Sequence, residues 1–288
     1  MNLTEFKKSY SSTRPHLLLI GNPVGHSLSP IMHNAAADYY NFELQYYAVQ
    51  VKSNEWPLLG SYLNNDLLKG VNITIPFKEM MFDYVDEVDQ SCRKIGAVNT
   101  IVKQPHVLKA YNTDSYGFCA PLDAYKAEIE EQPAIIFGTG GAARAVVHGL
   151  MDYGASMIWV VSRNPTREKN KLWPEAVRVI SYDEWPEHAQ ETALIVNATP
   201  LGMEPKEGES PVGDALKSHL AHKICYDIVY NPQHTRFLQQ AETVDGRTIG
   251  GLEMLVHQGS RSFELWTGKS FPIAHVKKML NEHLRHEY

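Results

Sequence analysis

The sequence predicts an α/β protein of two domains, the second of which is built on a doubly wound parallel sheet. Short apolar runs alternate with helix signals along most of the 288 residues. The polar, proline-ended segment 128–133 interrupts this alternation, and a glycine-rich turn follows the first apolar run beyond it. A chain of this length with 43% apolar residues is long enough to bury two cores.

The N-terminal part alternates strands with helices and ends in a hairpin. Serine followed by proline opens the first helix, and glutamine followed by proline marks the hairpin turn. We therefore expect one α/β unit with a mixed sheet. Its predicted elements are strands at 17–20, 44–51, 71–75, 97–102 and 107–111, and helices from Ser29 and from about Glu55.

The second part contains six short apolar runs separated by helix or turn signals, a pattern that favours a parallel sheet. The stretch 252–288 is helical in pattern, with breaks at Gly268 and Pro272, and the pattern is compatible with capping either domain. The six predicted strands are 134–137, 157–161, 177–180, 193–197, 224–228 and 247–249.

Composition excludes several classes of function. The formal net charge of −6 opposes a general nucleic-acid role, because surfaces that bind phosphates are rich in Lys and Arg. Cys92, Cys119 and Cys225 lack a CxxC pair, which indicates reduced thiols in the cytoplasm rather than disulfides or a zinc site. The N-terminus lacks a secretory pattern, and no apolar run reaches the roughly 18 to 20 residues that cross a bilayer.

The segment from Val71 to Lys78 alternates apolar with polar residues and ends in a lysine. The apolar positions, Ile75 included, are expected to face one way, with Asn72 and Thr74 facing the other, before Pro76 ends the ladder. Lys78 is then placed at a strand end. Taken alone, such a lysine is more often an ordinary solvated residue than a functional one.

The run Gly138-Thr139-Gly140-Gly141-Ala142-Ala143 is a GxGxxA turn between a predicted strand and a predicted helix. Gly138 permits the tight turn, Gly140 lets the backbone approach a pyrophosphate, and Ala143 lets helix and strand pack closely. The order of strand, turn and helix favours dinucleotide binding over a merely tight turn.

The loop after the next strand reads Val161-Ser162-Arg163-Asn164-Pro165-Thr166-Arg167. An NAD site usually places an acid roughly 20 residues beyond the glycines to hold the ribose 2′-hydroxyl. Two arginines without a carboxylate instead suit a 2′-phosphate, which a guanidinium binds in bidentate fashion. The loop therefore predicts NADP rather than NAD, although arginines are also ordinary in a solvated loop.

Two further segments have both a structural and a functional interpretation. Ser29 before Pro30 is typical of a helix N-cap, which is the commoner use, but Ser27 and Ser29 at a helix N-terminus also suit a carboxylate. Asp114 opens a predicted helix and is typical of a cap or first-turn acid. If Asp114 meets Lys78, the pair supplies the proton transfer that accompanies hydride transfer at a carbinol. That chemistry needs no metal, and the sequence has no HExxH pattern or Cys/His cluster.

Together these motifs resemble those of the shikimate dehydrogenases, including the related quinate/shikimate dehydrogenases. The matching blocks occur in the family's order over most of the chain, and their joint occurrence is far more specific than any one block. Besides the segments 72–78 and 138–143, the matching blocks are 25–30, 96–100, 112–114, 197–203, 227–232 and 250–258.

The resemblance implies a role for each matching residue. Lys78 and Asp114 would form a catalytic dyad, while Ser27 and Ser29 would hold the shikimate carboxylate. The residues implied to contact the ring hydroxyls or orient the dyad are Asn72, Thr74, Asn99, Tyr230 and Gln258. The implied cofactor contacts are Gly138 to Ala143 at the pyrophosphate, Ser162, Arg163 and Arg167 at the 2′-phosphate loop, and Thr199, Met203, Ile228 and Gly251 near the ribose or nicotinamide.

One departure from the family lies in the 2′-phosphate loop. Ser162 stands where many members have asparagine, and Asn164 stands where threonine is common. The two small polar contacts to the phosphate are therefore a point of difference, whereas the two arginines keep their four-residue spacing.

The implied reaction is the reversible, NADPH-dependent reduction of 3-dehydroshikimate to shikimate in aromatic amino acid biosynthesis. It would occur between a substrate domain (1–116) and a Rossmann-type NADP domain (117–250), with C-terminal helices (251–288) packing back on the substrate domain. We expect a cytoplasmic monomer or homodimer that binds no metal, nucleic acid or membrane.

Three alternatives stay open. A quinate/shikimate dehydrogenase that also uses NAD shares the dyad but oxidises quinate as well. A noncatalytic regulator that binds NADP or a metabolite would be expected to lack Lys78 or Asp114. A folate-type methylene dehydrogenase shares the two-domain layout and NADP, but the serine block favours shikimate.

Overall fold

A computed structural model of the chain describes residues 1–9, 14–168 and 173–286. The chain forms two compact units. Unit 1 comprises Met1–Thr113 and Val256–Tyr288, and unit 2 comprises Asp114–Leu255. Each unit contains a six-stranded sheet together with helices, which confirms the predicted α/β class. The functional domains with boundaries at 116 and 250 stay predictions.

The elements are numbered in chain order, leaving aside short 3-10 segments. The helices are α1 (Leu3–Ser9), α2 (Ser29–Tyr39), α3 (Trp56–Tyr62), α4 (Gln90–Ile95), α5 (Asp114–Cys119), α6 (Lys126–Ile129), α7 (Gly141–Asp152), α8 (Pro165–Glu168), α9 (Trp185–Ala189), α10 (Arg236–Glu242), α11 (Gly251–Thr267) and α12 (Ile273–His286). The strands are β1 (His16–Gly21), β2 (Gln45–Gln50), β3 (Leu68–Ile73), β4 (Glu87–Val88), β5 (Thr100–Gln104), β6 (Val107–Tyr111), β7 (Ala134–Phe137), β8 (Ile158–Val161), β9 (Val177–Ile180), β10 (Leu194–Asn197), β11 (Ile224–Asp227) and β12 (Arg247–Ile249).

Unit 1 has a mixed sheet in the order β2-β1-β3-β5-β6-β4. Strand β1 pairs in parallel with β2 and β3, whereas β5 pairs antiparallel with β3 and β6. Because β1 lies between two parallel strands, all six of its residues are buried. Helix α2 packs on β2 and on α12, so the last helix belongs to this unit.

Unit 2 has a wholly parallel sheet in the order β12-β11-β10-β7-β8-β9. The chain runs outward from β7 through β8 to β9, and then from β10 through β11 to β12 on the other side. This reversal makes the carboxyl ends of β7 and β10 a topological switch point, where open α/β sheets bind ligands. The glycine-rich turn follows β7 at this point.

The strand that leads toward Lys78 differs from its prediction. Strand β3 ends at Ile73, so the predicted strand end at Ile75 was wrong, and Ile75 is 72% exposed. Beyond the strand, Thr74 still donates its amide to the Ile20 carbonyl at 2.9 Å, and the Ile75 carbonyl still accepts the Asn22 amide at 2.9 Å. Pro76, which has no N–H, explains why the strand cannot continue.

His33 of α2 lies in an aromatic cluster of unit 1. Its ring stacks on Tyr46 with the ring centroids 4.5 Å apart, and it meets Trp266 edge-on at 5.2 Å. Within the described residues, neither ring nitrogen has a hydrogen-bond partner. Burial lowers the pKa of His33 to about 3, so the ring is neutral at pH 7.

The three cysteines form no disulfide and lie away from solvent to different degrees. Cys92 is buried in unit 1, while Cys119 and Cys225 lie in unit 2, the latter fully buried. Burial raises the pKa of the Cys119 and Cys225 thiols to about 12. Both are therefore protonated thiols at neutral pH, of low reactivity.

Tyr226 of β11 is fully buried, and its hydroxyl has no hydrogen-bond partner among the described residues. Replacing Tyr226 with Phe should raise the free energy of unfolding by about 1 kcal/mol, because the uncompensated desolvation of the hydroxyl is removed. Urea unfolding at pH 7.5 measures the change.

Tyr62→Phe is the matched control, since the buried Tyr62 hydroxyl lies 2.5 Å from His16 Nε2. That variant should lower the free energy of unfolding by about 1 kcal/mol. Equal destabilisation of the protein by both substitutions would show that the Tyr226 hydroxyl is satisfied.

Candidate active site

Lys78 lies half-buried in the turn that follows β3. Its carbonyl accepts a hydrogen bond from the Val98 amide at 2.8 Å, and the amide of Ile73, at the end of β3, donates to the Asn99 carbonyl at 2.8 Å. These two bonds hold the lysine turn against the segment that carries Asn99. The structure therefore places two of the predicted site residues, Lys78 and Asn99, on neighbouring segments of unit 1.

Asn72 is the centre of a buried polar network. Its Oδ1 accepts a hydrogen bond from the Tyr46 hydroxyl at 2.8 Å. Its Nδ2 faces three oxygens, the Asn99 carbonyl at 3.1 Å, Thr100 Oγ1 at 3.0 Å and Ser262 Oγ at 3.2 Å. Because the donors of this amide are all engaged, the side chain is fixed in one orientation.

Asn99 extends the network to the start of unit 2. Its Oδ1 accepts the Thr113 amide at 2.8 Å, and its Nδ2 donates to Thr113 Oγ1 at 2.9 Å. Thr113 directly precedes Asp114, which is 6% exposed and begins α5. Lys78 belongs to unit 1 and Asp114 to unit 2, and the pairing of the two side chains stays a prediction.

The serine pair does not form the N-cap that Ser29 alone suggested. Helix α2 begins at Ser29, its N-cap position is Leu28, and no side chain caps it there. Ser27 Oγ instead accepts the Ser29 amide at 3.2 Å. Ser29 hydrogen-bonds the Tyr46 hydroxyl, which opposes the rise that burial causes in the pKa of Tyr46. Through Tyr46, Ser29 is joined to the Asn72 network.

The other residues predicted to contact substrate are more dispersed. Thr74 follows β3 in unit 1 and is half-buried, as are Gln258 of α11 and Tyr230 in the loop after β11 of unit 2. Gln258 is linked to the network through its backbone, since its carbonyl accepts a hydrogen bond from Ser262 Oγ at 3.1 Å. Their roles toward substrate stay predictions.

Sequence reasoning missed four members of the network: Tyr46, Thr100, Thr113 and Ser262. A tyrosine in a strand or a threonine beside a turn is ordinary in any α/β protein, so none stood out by type. Only Thr100 and Thr113 carried a signal, since they lie inside the 96–100 and 112–114 blocks.

The glycine-rich turn after β7 fits a pyrophosphate. Gly138 has φ +113°, and a Cβ there would lie 2.7 Å from the Ala198 carbonyl oxygen, so only glycine is accommodated. Gly140 is the N-cap of α7 and provides no side-chain cap, while a Cβ at Gly140 would meet no protein atom within 4 Å. Open space therefore lies before the N-terminal amides of a 12-residue helix, as anion binding requires.

The loop 161–167, which is predicted to bind the 2′-phosphate, is held by hydrogen bonds from its backbone amides to its own side chains. Ser162 Oγ accepts the Asn164 amide at 3.0 Å, and Asn164 Oδ1 accepts the Arg167 amide at 3.4 Å. The small polar side chains that depart from the family thus shape the loop itself. Arg163 and Arg167 are exposed, and neither forms an ion pair with any residue that the structure describes. Both guanidinium groups are available to an anion.

The remaining predicted cofactor residues lie at the same edge of the unit 2 sheet. Thr199 follows β10, Ile228 follows β11 and Gly251 begins α11. A Cβ at Gly251 would collide with the Ile228 carbonyl, so these two segments touch. Met203 is 44% exposed.

The described residues contain no cluster of His, Cys, Asp and Glu side chains that could hold a metal ion. In the same part of the chain, no helix has the length and apolar character needed to span a membrane.

Comparison with known proteins matches both ends of the chain to one family. Residues 19–101 match the shikimate dehydrogenase substrate binding domain, and residues 251–280 match the shikimate 5′-dehydrogenase C-terminal domain. A shikimate dehydrogenase (NADP+) from Nitrosopumilus maritimus is 38% identical over 268 residues, which cover 91% of this chain and 96% of that protein.

Solved structures agree with the sequence comparison. A shikimate 5-dehydrogenase from Thermus thermophilus, in complex with NADP(H) and shikimate, has a TM-score of 0.81 and 32% identity over 93% of this chain and 98% of its own. A quinate dehydrogenase from Corynebacterium glutamicum in complex with NAD has a TM-score of 0.82 and 25% identity, covering 93% and 99%. The Nitrosopumilus maritimus relative is 38% identical along nearly its whole length, and the chain has the family's motifs at the lysine turn and the glycine turn. The chain therefore belongs to the shikimate dehydrogenase family.

Proposed function

We propose that the protein is an NADP-dependent shikimate dehydrogenase, which reversibly reduces 3-dehydroshikimate to shikimate in aromatic amino acid biosynthesis. The observation that carries the proposal is the buried network around Asn72 and Asn99, because it fixes hydrogen-bonding side chains beside the Lys78 turn. Such preorganised polar groups suit a small substrate rich in hydroxyls. The relatives from Nitrosopumilus maritimus and Thermus thermophilus support the same activity.

NADPH, when bound, supplies the hydride in this reaction. Lys78 donates a proton to the C3 oxygen of the substrate, and Asp114 holds the lysine ammonium and the substrate hydroxyl in line. Ser27 and Ser29 hold the substrate carboxylate near the start of α2. The contacts from Asn72, Thr74, Asn99, Tyr230 and Gln258 orient the ring.

Unit 2 would hold the cofactor with the groups already described. The amides of the 138–143 turn bind the pyrophosphate at the N-terminus of α7. Arg163 and Arg167 bind the 2′-phosphate, with Ser162 shaping their loop. Thr199, Met203, Ile228 and Gly251 contact the ribose and nicotinamide. We further propose that the protein acts in the cytoplasm, as a monomer or homodimer.

Arg163→Ala should raise KM for NADPH by about 10- to 100-fold and leave KM for NADH almost unchanged, because only NADPH loses a charge-assisted phosphate contact. Initial-rate kinetics with each cofactor measure this. Arg178→Ala is the matched control, an exposed arginine on β9 whose Nη1 donates to the Glu175 carbonyl at 2.6 Å. Equal losses with NADPH and NADH in Arg163→Ala would remove this residue from the 2′-phosphate site.

A single assay tests the proposed function. Purified protein is mixed with shikimate or quinate and with NADP+ or NAD+, and the absorbance of the reduced nicotinamide is followed. Shikimate with NADP+ should give the highest kcat/KM. The second candidate is a quinate/shikimate dehydrogenase, favoured by the likeness to the Corynebacterium glutamicum enzyme. Equal activity with quinate and shikimate would establish that alternative, and no activity with any pair would favour the noncatalytic regulator.

A further inference from the structure

Asp227 is a fully buried carboxylate at the carboxyl end of β11, to which the predicted site assigns no role. Its Oδ1 accepts the Val229 amide at 2.9 Å, and its Oδ2 accepts the Thr235 hydroxyl at 2.6 Å. Asn197 Nδ2 lies 3.0 and 3.1 Å from the two oxygens. No cationic side chain of the described residues compensates its charge, and burial raises the pKa of Asp227 to about 6 against these hydrogen bonds.

Asn197 carries the network onto the loop after β10. Its Nδ2 also donates to the Leu201 carbonyl at 3.0 Å. Its Oδ1 accepts the Thr199 amide at 3.0 Å and the Thr199 hydroxyl at 2.6 Å. We call the loop 197–203 the cofactor loop and the loop 227–230 the Tyr230 loop. The side-chain amide of Asn197 therefore fixes the cofactor loop to Asp227, the carboxylate at the start of the Tyr230 loop.

Backbone bonds join the same two loops to the start of α11. The Ile228 amide donates to the Asn197 carbonyl at 3.1 Å, and the Gly251 amide donates to the Val229 carbonyl at 3.3 Å. Three residues predicted to contact the cofactor, Thr199, Ile228 and Gly251, thus lie in segments that converge on one pair of buried side chains.

We propose that Asp227, acting with Asn197, is a positioning residue that holds the cofactor loop and the Tyr230 loop in one fixed arrangement. The inference rests on the proposed function, in which the first loop contacts NADP and the second carries a substrate-contacting tyrosine. A buried carboxylate without a cation is unfavourable for folding, and the α10 helix is already capped by Thr235. The carboxylate instead fixes the positions of three separate segments, because its two oxygens accept hydrogen bonds from donors in each of them.

The first test is Asp227→Asn, which keeps the size of the side chain but turns one acceptor into a donor facing other donors. Both kcat/KM for NADP+ and kcat/KM for shikimate should fall by about 10- to 100-fold, because both loops are displaced together and both the cofactor and the substrate are misplaced. Thr235→Val should show the same double loss in smaller measure, and Thr235→Ser, which keeps the hydroxyl, should restore both constants.

Thr192→Val is the control for a merely structural role. Thr192 is also fully buried in unit 2, and its Oγ1 donates to the His188 carbonyl at 2.8 Å, two residues before β10 begins. It should lower the melting temperature as Asp227→Asn does but leave both kinetic constants within about twofold. Loss of kcat/KM for only one partner in Asp227→Asn, or for neither, would overturn the proposal.

Hydrogen exchange separates this proposal from the proposed function, because it needs no turnover. In the native chain, NADP+ should slow amide exchange in 138–143, in 198–203 and in 228–233. In Asp227→Asn, NADP+ should still protect 138–143 but no longer protect 228–233. Two results would show that the positioning role is wrong while the cofactor assignment stands. One is that NADP+ protects 138–143 of the native chain without protecting 228–233. The other is that NADP+ protects 138–143 and 228–233 of the variant equally. If no segment of the native chain is protected, both proposals fail.

Discussion

Lys78→Ala should lower kcat by about 10²- to 10⁴-fold while raising KM for shikimate by about tenfold at most. The lysine is proposed to deliver the proton to the C3 oxygen as hydride arrives, so its contribution is made mainly in the transition state. The carboxylate and hydroxyl contacts of the substrate come from other residues and persist in the variant. Steady-state kinetics in both directions, with shikimate and NADP+ or with 3-dehydroshikimate and NADPH, measure the two constants.

Lys69→Ala is the matched control, because Lys69 lies on β3, nine positions before Lys78, and is exposed. It should leave both constants within about twofold of the native values. The melting temperature of each variant shows whether the fold is retained. Near-normal kcat in a folded Lys78→Ala variant would contradict the proton-donor role, and a rise in KM with kcat unchanged would reassign Lys78 to binding alone.

His33 should make unit 1 sensitive to acid. The unfolded chain binds a proton at this histidine below about pH 6.5, whereas in the folded chain the pKa is lowered to about 3 by burial. Between these values the unfolded state binds more protons. The free energy of unfolding therefore falls as the pH falls, by about 1.4 kcal/mol for each pH unit.

Asp227 acts in the opposite sense in unit 2, because its pKa is raised from 3.8 to about 6. Between these values the folded chain keeps a proton that the unfolded chain has lost, so this contribution to stability increases as the pH falls. A whole-protein pH profile mixes the two effects. The difference between native protein and a His33 variant isolates the histidine.

The His33→Leu variant, which has no ionisable group at this position, should gain about 2 kcal/mol in stability relative to the native protein between pH 6.5 and pH 4.5. Urea unfolding at several pH values measures the difference, and the value at pH 8 gives the change due to packing alone. His106→Leu, at an exposed histidine of the β5–β6 hairpin, is the control and should show almost no such trend. A difference between native and His33→Leu protein that is independent of pH would mean that the pKa of His33 is the same in the folded and the unfolded chain.

The sheet of unit 2 was largely predictable from the sequence. Strands β7, β9 and β12 have the predicted bounds, 134–137, 177–180 and 247–249. Each is a short apolar or β-branched run with turn-forming residues on both sides, so local chemistry alone determines where it begins and ends. The glycine turn was equally predictable. Its backbone, with φ +113° at Gly138 and the Ala198 carbonyl close by, accepts only glycine, so the turn has to show itself in the sequence as a glycine.

Elements that depend on distant partners were not predictable. The two-residue strand β4, Glu87–Val88, exists because β6 offers it a parallel partner, and no local pattern marks it. The end of β3 depends on where pairing with β1 stops. An alternating sequence shows a strand's faces but not the residue at which its neighbour ends.

The polar network of unit 1 was the least predictable part of the site. Asn72 was identified through the family resemblance, but its contact with Ser262 joins residues 190 positions apart. A buried threonine or serine with satisfied hydrogen bonds has the same sequence signature as an exposed one. Only the fold determines which of them meet, and so which asparagine is held rigid.

The buried Cys92 and Cys225 and the partly buried Cys119 can report on local opening of the protein. Alkylating reagents attack thiolates, and protonated thiols shielded from solvent react slowly until the surrounding structure opens. Cys92 reports on unit 1, while Cys119 and Cys225 report on unit 2. Mass spectrometry of labelled peptides in mild denaturant would thus time the unfolding of each unit separately, within one unmodified molecule.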